Sequence, residues 1–422
     1  MKKSSLPLTG SGSILSTPET RRWIIVAVIF VAVVCNYIDR QIVSVLKPLI
    51  KSEYGLDDSG YAVIINIFTI CYALSYPFTG WLVDRIGTKL TMLWGIFVWS
   101  LACIGGGISR TVGQFGFFRG MLGVSEPTIF PAMLKTVTVW FPGKLRGTAN
   151  GICQAGGSIG AIVAPPLIAW LAISYSWHTA FVVMGVVGLL LAILWKMVYK
   201  APPKEILEEA LQSTVSKDEV SFSWKELWRT QSLWGVILIR FISDPVWYFC
   251  LFWLPGYLQE RSGLSLAEVG LFGWIPFLVA DLGSVGTSVW SDKIVRRGVT
   301  PLVARKKMLT HLTFLVMICV LTPFIKNAAI TILIFSLVAL VCVSWLFTTS
   351  VVIAESFPVH NVASVQGIVG GFGALGAVLF NYFVGKLMDA PHAEYIFFVM
   401  AFLHPLALLI LLKVVKPERP QG

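Results

Sequence analysis

Asp39 and Arg40 stand side by side in "NYIDRQ" (36–41), between the apolar runs "VAVVC" and "IVSVL". A charge at mid-bilayer costs about 2.5–3.5 kcal/mol on insertion scales, so it is kept where it meets a cavity or a partner. Neighbours on a helix point about 100° apart. Arg40 is therefore expected to face a cavity, with Asp39 turned toward an adjacent helix. Arg119, Glu126 and Lys135 recur along "FFRGMLGVSEPTIFPAMLK". Arg119 and Glu126 are two turns apart on one face, about 10 Å along the axis. Lys135 lies nine residues beyond, where it is a substrate cation or a side chain reaching for the surface. Arg240, Asp244 and Asp281 are further charges in apolar surroundings.

These types suggest one kind of chemistry. The cations Arg40, Arg119 and Lys135 hold an organic anion. The acids Asp39 and Glu126 carry protons, and protonating either one frees an arginine for a substrate carboxylate. Neutral hydrogen-bonding and stacking groups inside apolar runs complete a candidate site: Tyr37, Tyr72, Gln154, Asn381, Trp247 and Trp345. No phosphate loop, nucleophile elbow or metal-spaced histidine set is present. The seven cysteines fall singly in apolar runs and read as small packing residues. The chain is accordingly expected to be no enzyme, to need no cofactor or metal, and not to be ATP-driven.

Something must hold these groups inside a membrane. The chain is 56% hydrophobic and 13% charged, with mean hydropathy +0.77, beyond what a water-soluble core can hide. Twelve apolar segments predict an all-α polytopic membrane protein: 23–46, 61–83, 90–108, 112–139, 147–171, 179–199, 233–258, 266–291, 306–325, 328–354, 362–387 and 394–415. With both ends on one side, the segments there hold 23 of the 33 Lys and Arg, and those opposite hold six. That bias places both termini in the cytoplasm. The net charge of +11 is thus a matter of topology, with no call for nucleic acid. The polar first twenty residues carry no apolar stretch of a cleaved signal peptide.

The halves repeat. "FPGKLRGTANGICQAGGSIGA" from Phe141 aligns with "FPVHNVASVQGIVGGFGALGA" from Phe357 without a gap, at an offset of 216. "LVDRIG" around Asp84 is echoed by "WSDKIV" around Asp292. Two pseudo-symmetric six-helix bundles in parallel orientation follow, facing each other across a central site. The expected organisation is a cytoplasmic tail (1–22), a first bundle (23–200), a polar cytoplasmic linker (201–230), a second bundle (231–415) and a cytoplasmic tail (416–422).

"GWLVDRIGTK" (80–89) resembles the signature loop of the major facilitator superfamily. Asp84, Arg85 and Lys89 would then be gating residues, latching the inner side in one state and releasing it in the other. "NYIDRQ" and "FFRGMLGVSEPTIFPAMLKTVTVWFPGKLRGTANG" are similar to the anion:cation symporter family within it. "RFISDPVWYFCLFWLPGYL" and "FGWIPFLVADLGS" resemble bacterial hexuronate transporters. The acid at position 39 is a departure, since some hexuronate carriers lack it. The resemblance implies the major facilitator fold and a proton-coupled secondary active transporter of the bacterial inner membrane. It would import a hexuronate or related sugar acid by alternating access, as a monomer with the anion, protons and lipid as partners. The rival readings are an organophosphate or dicarboxylate exchanger on the same fold and a membrane sensor that binds without transporting.

Overall fold

The computed structural model describes residues 17–212, 223–357 and 359–415. Among them every regular element is helical. The first half comprises α1 (Pro18–Val45), α2 (Lys47–Tyr54), α3 (Asp58–Ile108), α4 (Val112–Ser125), a 3-10 turn (Glu126–Thr128), α5 (Ile129–Trp140), α6 (Gly143–Ser174) and α7 (Trp177–Val198). Two short helices follow in the connecting segment, α8 (Lys204–Gln212) and α9 (Trp224–Leu227). The second half comprises α10 (Gln231–Phe252), α11 (Leu254–Glu260), α12 (Leu266–Phe272), α13 (Ile275–Arg296), α14 (Pro301–Thr313), a 3-10 stretch (Phe314–Phe324), α15 (Ala328–Ser356), α16 (Val359–Asp389) and α17 (Tyr395–Lys413).

Ten helical stretches are long and apolar enough to cross a membrane. The 51-residue α3 is two of the expected passes in one, broken at Gly87, whose φ of 82° only glycine adopts readily. The run α4–turn–α5 is a further pass, interrupted at Pro127. The helices are consistent with the twelve expected passes. The tail residues 1–16 and 416–422, and 213–222 of the linker, lie outside the described residues.

The repeat extends to fine detail. Pro48 enters α2 and Pro255 enters α11, each lacking the N–H that would continue the preceding helix. Gly55 and Gly263 then end those segments with φ of 62° and 74°. In α6 a Cβ on Gly160 would strike the Val34 carbonyl of α1. In α16 a Cβ on Gly376 would strike the Phe241 carbonyl of α10. Close backbone approach at equivalent glycines thus clamps α1 to α6 and α10 to α16. A leucine at Gly160 has nowhere to go, because the obstacle is backbone. Gly160→Leu is expected to abolish the monodisperse peak in detergent size exclusion, whereas Gly147→Leu, where nothing lies nearby, is expected to retain it.

Candidate functional site

Arg40 sits about four-fifths of the way along α1 and reaches across to the turn between α4 and α5. Its Nε donates to Glu126 Oε2 at 2.6 Å, with Glu126 fully buried. Pro127 has no N–H to give, and the chain tightens into a 3-10 turn that carries Glu126 at its start. Gly95 of α3 makes room for this turn, since a Cβ there would overlap Thr128. The Arg40 guanidinium lies over Tyr72 at 4.6 Å, Tyr37 at 5.4 Å and Phe68 at 5.9 Å, measured to ring centroids. Cation–π contact of this kind holds a guanidinium in place while leaving its edge free to donate.

Asp39 points the other way. It is 1% exposed, and its neighbour is Cys103, with Sγ 3.6 Å from Oδ1. The helical angle between adjacent residues separates the two charges as the sequence reading expects. Arg119 is also buried, over the Phe68 ring at 4.9 Å. None of its three guanidinium nitrogens has a hydrogen-bond partner among the described residues. A buried cation without a hydrogen bond is costly, so Arg119 keeps the pocket positive. Glu126 Oε1 and one terminal nitrogen of Arg40 are likewise buried and unpartnered. Protonating Glu126 would release Arg40 beside two unmatched groups, and an incoming carboxylate could satisfy both cations.

The second half faces this cluster with Arg240, Asp244, Trp247 and Tyr248, all on α10. Arg240 Nε donates to Asp244 Oδ1 at 2.6 Å and to Oδ2 at 2.8 Å. Tyr76 and Tyr248 lie within electrostatic reach of both Arg40 and Arg240. Trp247 is half-buried and meets Phe277 edge-on at 6.0 Å. Counting from Pro48 and Pro255, Trp247 occupies the position equivalent to Arg40. Across the interface, Asp281 of α13 lies beside Ser158 of α6. Gln154, one turn before Ser158, is exposed along α6.

Contacts between the halves are concentrated at one end of the molecule. Lys47 is 1% exposed and binds Asp58 at 2.7 Å and Glu260 at 2.6 Å. Lys51 joins the same two acids. Asp389 accepts from the backbone N–H groups of Asp58 and Ser59, both at 2.8 Å. Gln259 donates to the Val45 carbonyl, Tyr61 to Phe252 and Asn66 to Val378. At the opposite end the ion pairs stay within each half: Lys135–Asp84 at 2.7 Å, and Arg305 with Asp292 at 2.7 Å and Glu355 at 3.5 Å. Among the described residues, the bonds between the halves close the Lys47 end and leave the Asp84 end open, where the described termini also lie.

Three expected site residues sit elsewhere. Lys135 is with Asp84 at the open end, because nine residues carry it more than two turns past Glu126. Asn381 is buried at the closed end, accepting from Trp253 and donating to Asn66. Trp345 is 1% exposed and donates to Thr313 inside the second half, so its ring is not offered to a ligand. The expected gating loop lies at the same end as Lys135. Arg85 lies over Trp81 at 5.1 Å, and among the described residues neither it nor Lys89 forms an ion pair, since no second-half partner approaches in this open state. Conversely, the reading missed Lys47 and Glu260, Tyr76 and Tyr248. Lys47 and Lys51, four apart beside "EYGLDD", were the available signal for the first pair. The tyrosines carried none, being indistinguishable from packing aromatics.

The closed-end latch makes a prediction. Removing both Lys47 and Glu260 leaves no buried charge unpaired and deletes the main cross-half ion pair. In a Lys47→Ala/Glu260→Ala background, a cysteine replacing Asn66 is expected to react with an impermeant maleimide several-fold faster than in the parent. An unchanged labelling rate would remove the latch from the gating machinery.

Comparison with known proteins agrees with this architecture. A bacterial homolog to the human lysosomal transporter Spinster, solved in an inward-facing and occupied conformation, superposes with a TM-score of 0.77 at 16% identity, over 96% of this chain and 98% of that one. The hexuronate transporter of Escherichia coli strain K12 is 27% identical over 407 residues, 94% of each chain. The probable galactarate/D-glucarate transporter GudP of Bacillus subtilis strain 168 is 27% identical over 423 residues, 92% of this chain and 90% of that one. The family model described as Major Facilitator Superfamily matches residues 29–345. With its helical architecture, its repeated halves and this match over most of its length, the chain belongs to the Major Facilitator Superfamily, as a multi-pass membrane transport protein.

Proposed function

We propose that this chain imports a sugar acid, a hexuronate or a close relative, together with protons. The observation that carries the proposal is the Arg40–Glu126 pair at 2.6 Å, set among tyrosines beside the unpartnered Arg119. The site binds its anion best when Glu126 is protonated, which ties anion uptake to proton uptake. Tyr37, Tyr72, Gln154 and Trp247 offer hydroxyl, amide and ring contacts suited to a polyhydroxylated substrate. Asp39, buried behind Arg40, is the second proton carrier. The similarity to relatives named for hexuronate and for galactarate/D-glucarate transport supports the substrate class.

The bundles 23–200 and 231–415 rock about this site as a monomer. In the inner membrane of a bacterium the open end faces the cytoplasm, in keeping with the basic segments there. Both termini are then cytoplasmic. Asp84, Arg85 and Lys89 belong to the inner gate, with Lys135 as the partner of Asp84. A pure anion exchanger on this fold would need cations at the site and no proton-carrying acids. The buried Asp39 and Glu126 therefore favour symport. Counterflow of labelled galacturonate in proteoliposomes tests the proposal. Rapid exchange against internal galacturonate is expected, and saturable binding without any exchange would make the chain a sensor instead.

A further inference from the structure

A second arginine reaches the same cavity from the other half, and its surroundings differ from those of Arg40 in a way that sorts substrates. Asp244 stands at the position equivalent to Tyr37, counted from Pro255 and Pro48. Each lies over an equivalent glycine that admits it: a Cβ on Gly157 would meet the Tyr37 ring, and one on Gly373 would meet the Asp244 carboxylate. Both Asp244 oxygens are engaged by one nitrogen, Nε of Arg240. The two terminal nitrogens of Arg240 make no hydrogen bond with any described residue and are not sealed from solvent. They are donors held in place and left open, with Tyr76 and Tyr248 within electrostatic reach.

We propose that Arg240 and Asp244 form the far end of the substrate site, and that Asp244 keeps a second carboxylate out. The transporter then takes sugar acids with one carboxylate in preference to those with a carboxylate at each end. This deepens the functional reading above and rests on it. Charge placement carries the argument. In the first half two cations, Arg40 and Arg119, face two acids that the transport cycle protonates, so a positive excess appears there when substrate binds. In the second half one cation, Arg240, is matched by one acid, Asp244, whose two oxygens it engages. The pair leaves no positive excess at that end. A second carboxylate would meet the Asp244 carboxylate and no spare positive charge, in a cavity where water screens poorly. A hydroxyl accepts from Arg240 and donates to a carboxylate oxygen, so the far end suits a polyol. Exclusion by a like charge is a common route to specificity.

The test is competition binding on the purified full-length protein, with labelled galacturonate displaced by unlabelled galacturonate or galactarate. The wild-type protein is expected to prefer galacturonate by about tenfold or more. Asp244→Asn keeps the shape over Gly373 and removes the charge. It is expected to tighten galactarate binding and narrow that preference by about tenfold. Should Asp244→Asn leave Arg240 unpaired and the protein misfolded, Arg240→Gln/Asp244→Asn restores a neutral pair and, with the same charge balance as wild type, is expected to keep the preference. Equal wild-type affinities, a preference unchanged in folded Asp244→Asn, or a preference lost in the double variant would overturn this proposal alone. Wild-type protein that binds neither acid would overturn the functional reading and this proposal with it.

Discussion

Arg40→Ala is expected to abolish measurable binding of galacturonate while leaving a folded protein. The guanidinium is open to the cavity, with 13% of its side chain exposed, and pinned by an acid at 2.6 Å. A charge-assisted hydrogen bond contributes about 1.5–3 kcal/mol, and a carboxylate gripped by two such bonds loses several hundred-fold or more in affinity with them. The substitution also leaves Glu126 buried without its partner, a change that costs about 3–5 kcal/mol if the acid stays charged. Glu126 escapes that cost by taking a proton, so thermal stability in Arg40→Ala is expected to rise relative to wild type as pH falls. Isothermal titration with galacturonate, alongside a melting curve at two pH values, checks both statements. Near-normal affinity in Arg40→Ala would take Arg40 out of the site. Arg40→Lys keeps charge but loses the flat fork over Tyr72, so it is expected to recover only part of the affinity.

Glu126→Gln is expected to separate binding from energy coupling. Glutamine imitates the protonated acid, so Arg40 stays released and the anion binds as well as before or better. Substrate-for-substrate exchange survives, because the loaded carrier still rocks. Accumulation against a gradient fails, because no proton leaves on the inner side. Asp39→Asn is expected to show a similar split, since Asp39 lies buried against Cys103, turned about 100° around α1 from Arg40. The measurement is uptake and counterflow of labelled galacturonate by the same variant, with and without an imposed pH gradient. Concentrative uptake by Glu126→Gln would show that Glu126 is not an essential proton carrier. The same result for both variants singly would leave either acid sufficient alone or move the coupling to Asp244 and Asp281.

The parts of the site that were legible from sequence are those set by helical geometry and by the cost of burial. The opposite facing of Asp39 and Arg40 follows from the angle between neighbours on a helix. That buried charges need partners was also legible, though not that Arg40 and Glu126 choose each other. Lys135, Asn381 and Trp345 were misplaced because sequence gives the face of a helix more readily than its depth. Lys135 was already far enough past Glu126 to reach the open end, and Asn381 and Trp345 are polar and aromatic groups satisfied by their own neighbours. The closed-end latch depends on which state the molecule occupies, and a single chain of letters holds every state at once. The twelve passes were readable by length and hydropathy, and the break at Gly87 falls in the expected gap between two of them, whereas the interruption at Pro127 divides a pass that hydropathy joins.

Proton-driven accumulation is the most direct test of the central claim. Wild-type protein in proteoliposomes, given labelled galacturonate outside and a more acidic exterior, is expected to concentrate the label above the external level. The accumulated label is expected to leave again when a protonophore collapses the gradient. Uptake that only equilibrates, at a level and rate indifferent to the pH gradient, would contradict proton-coupled import by this chain.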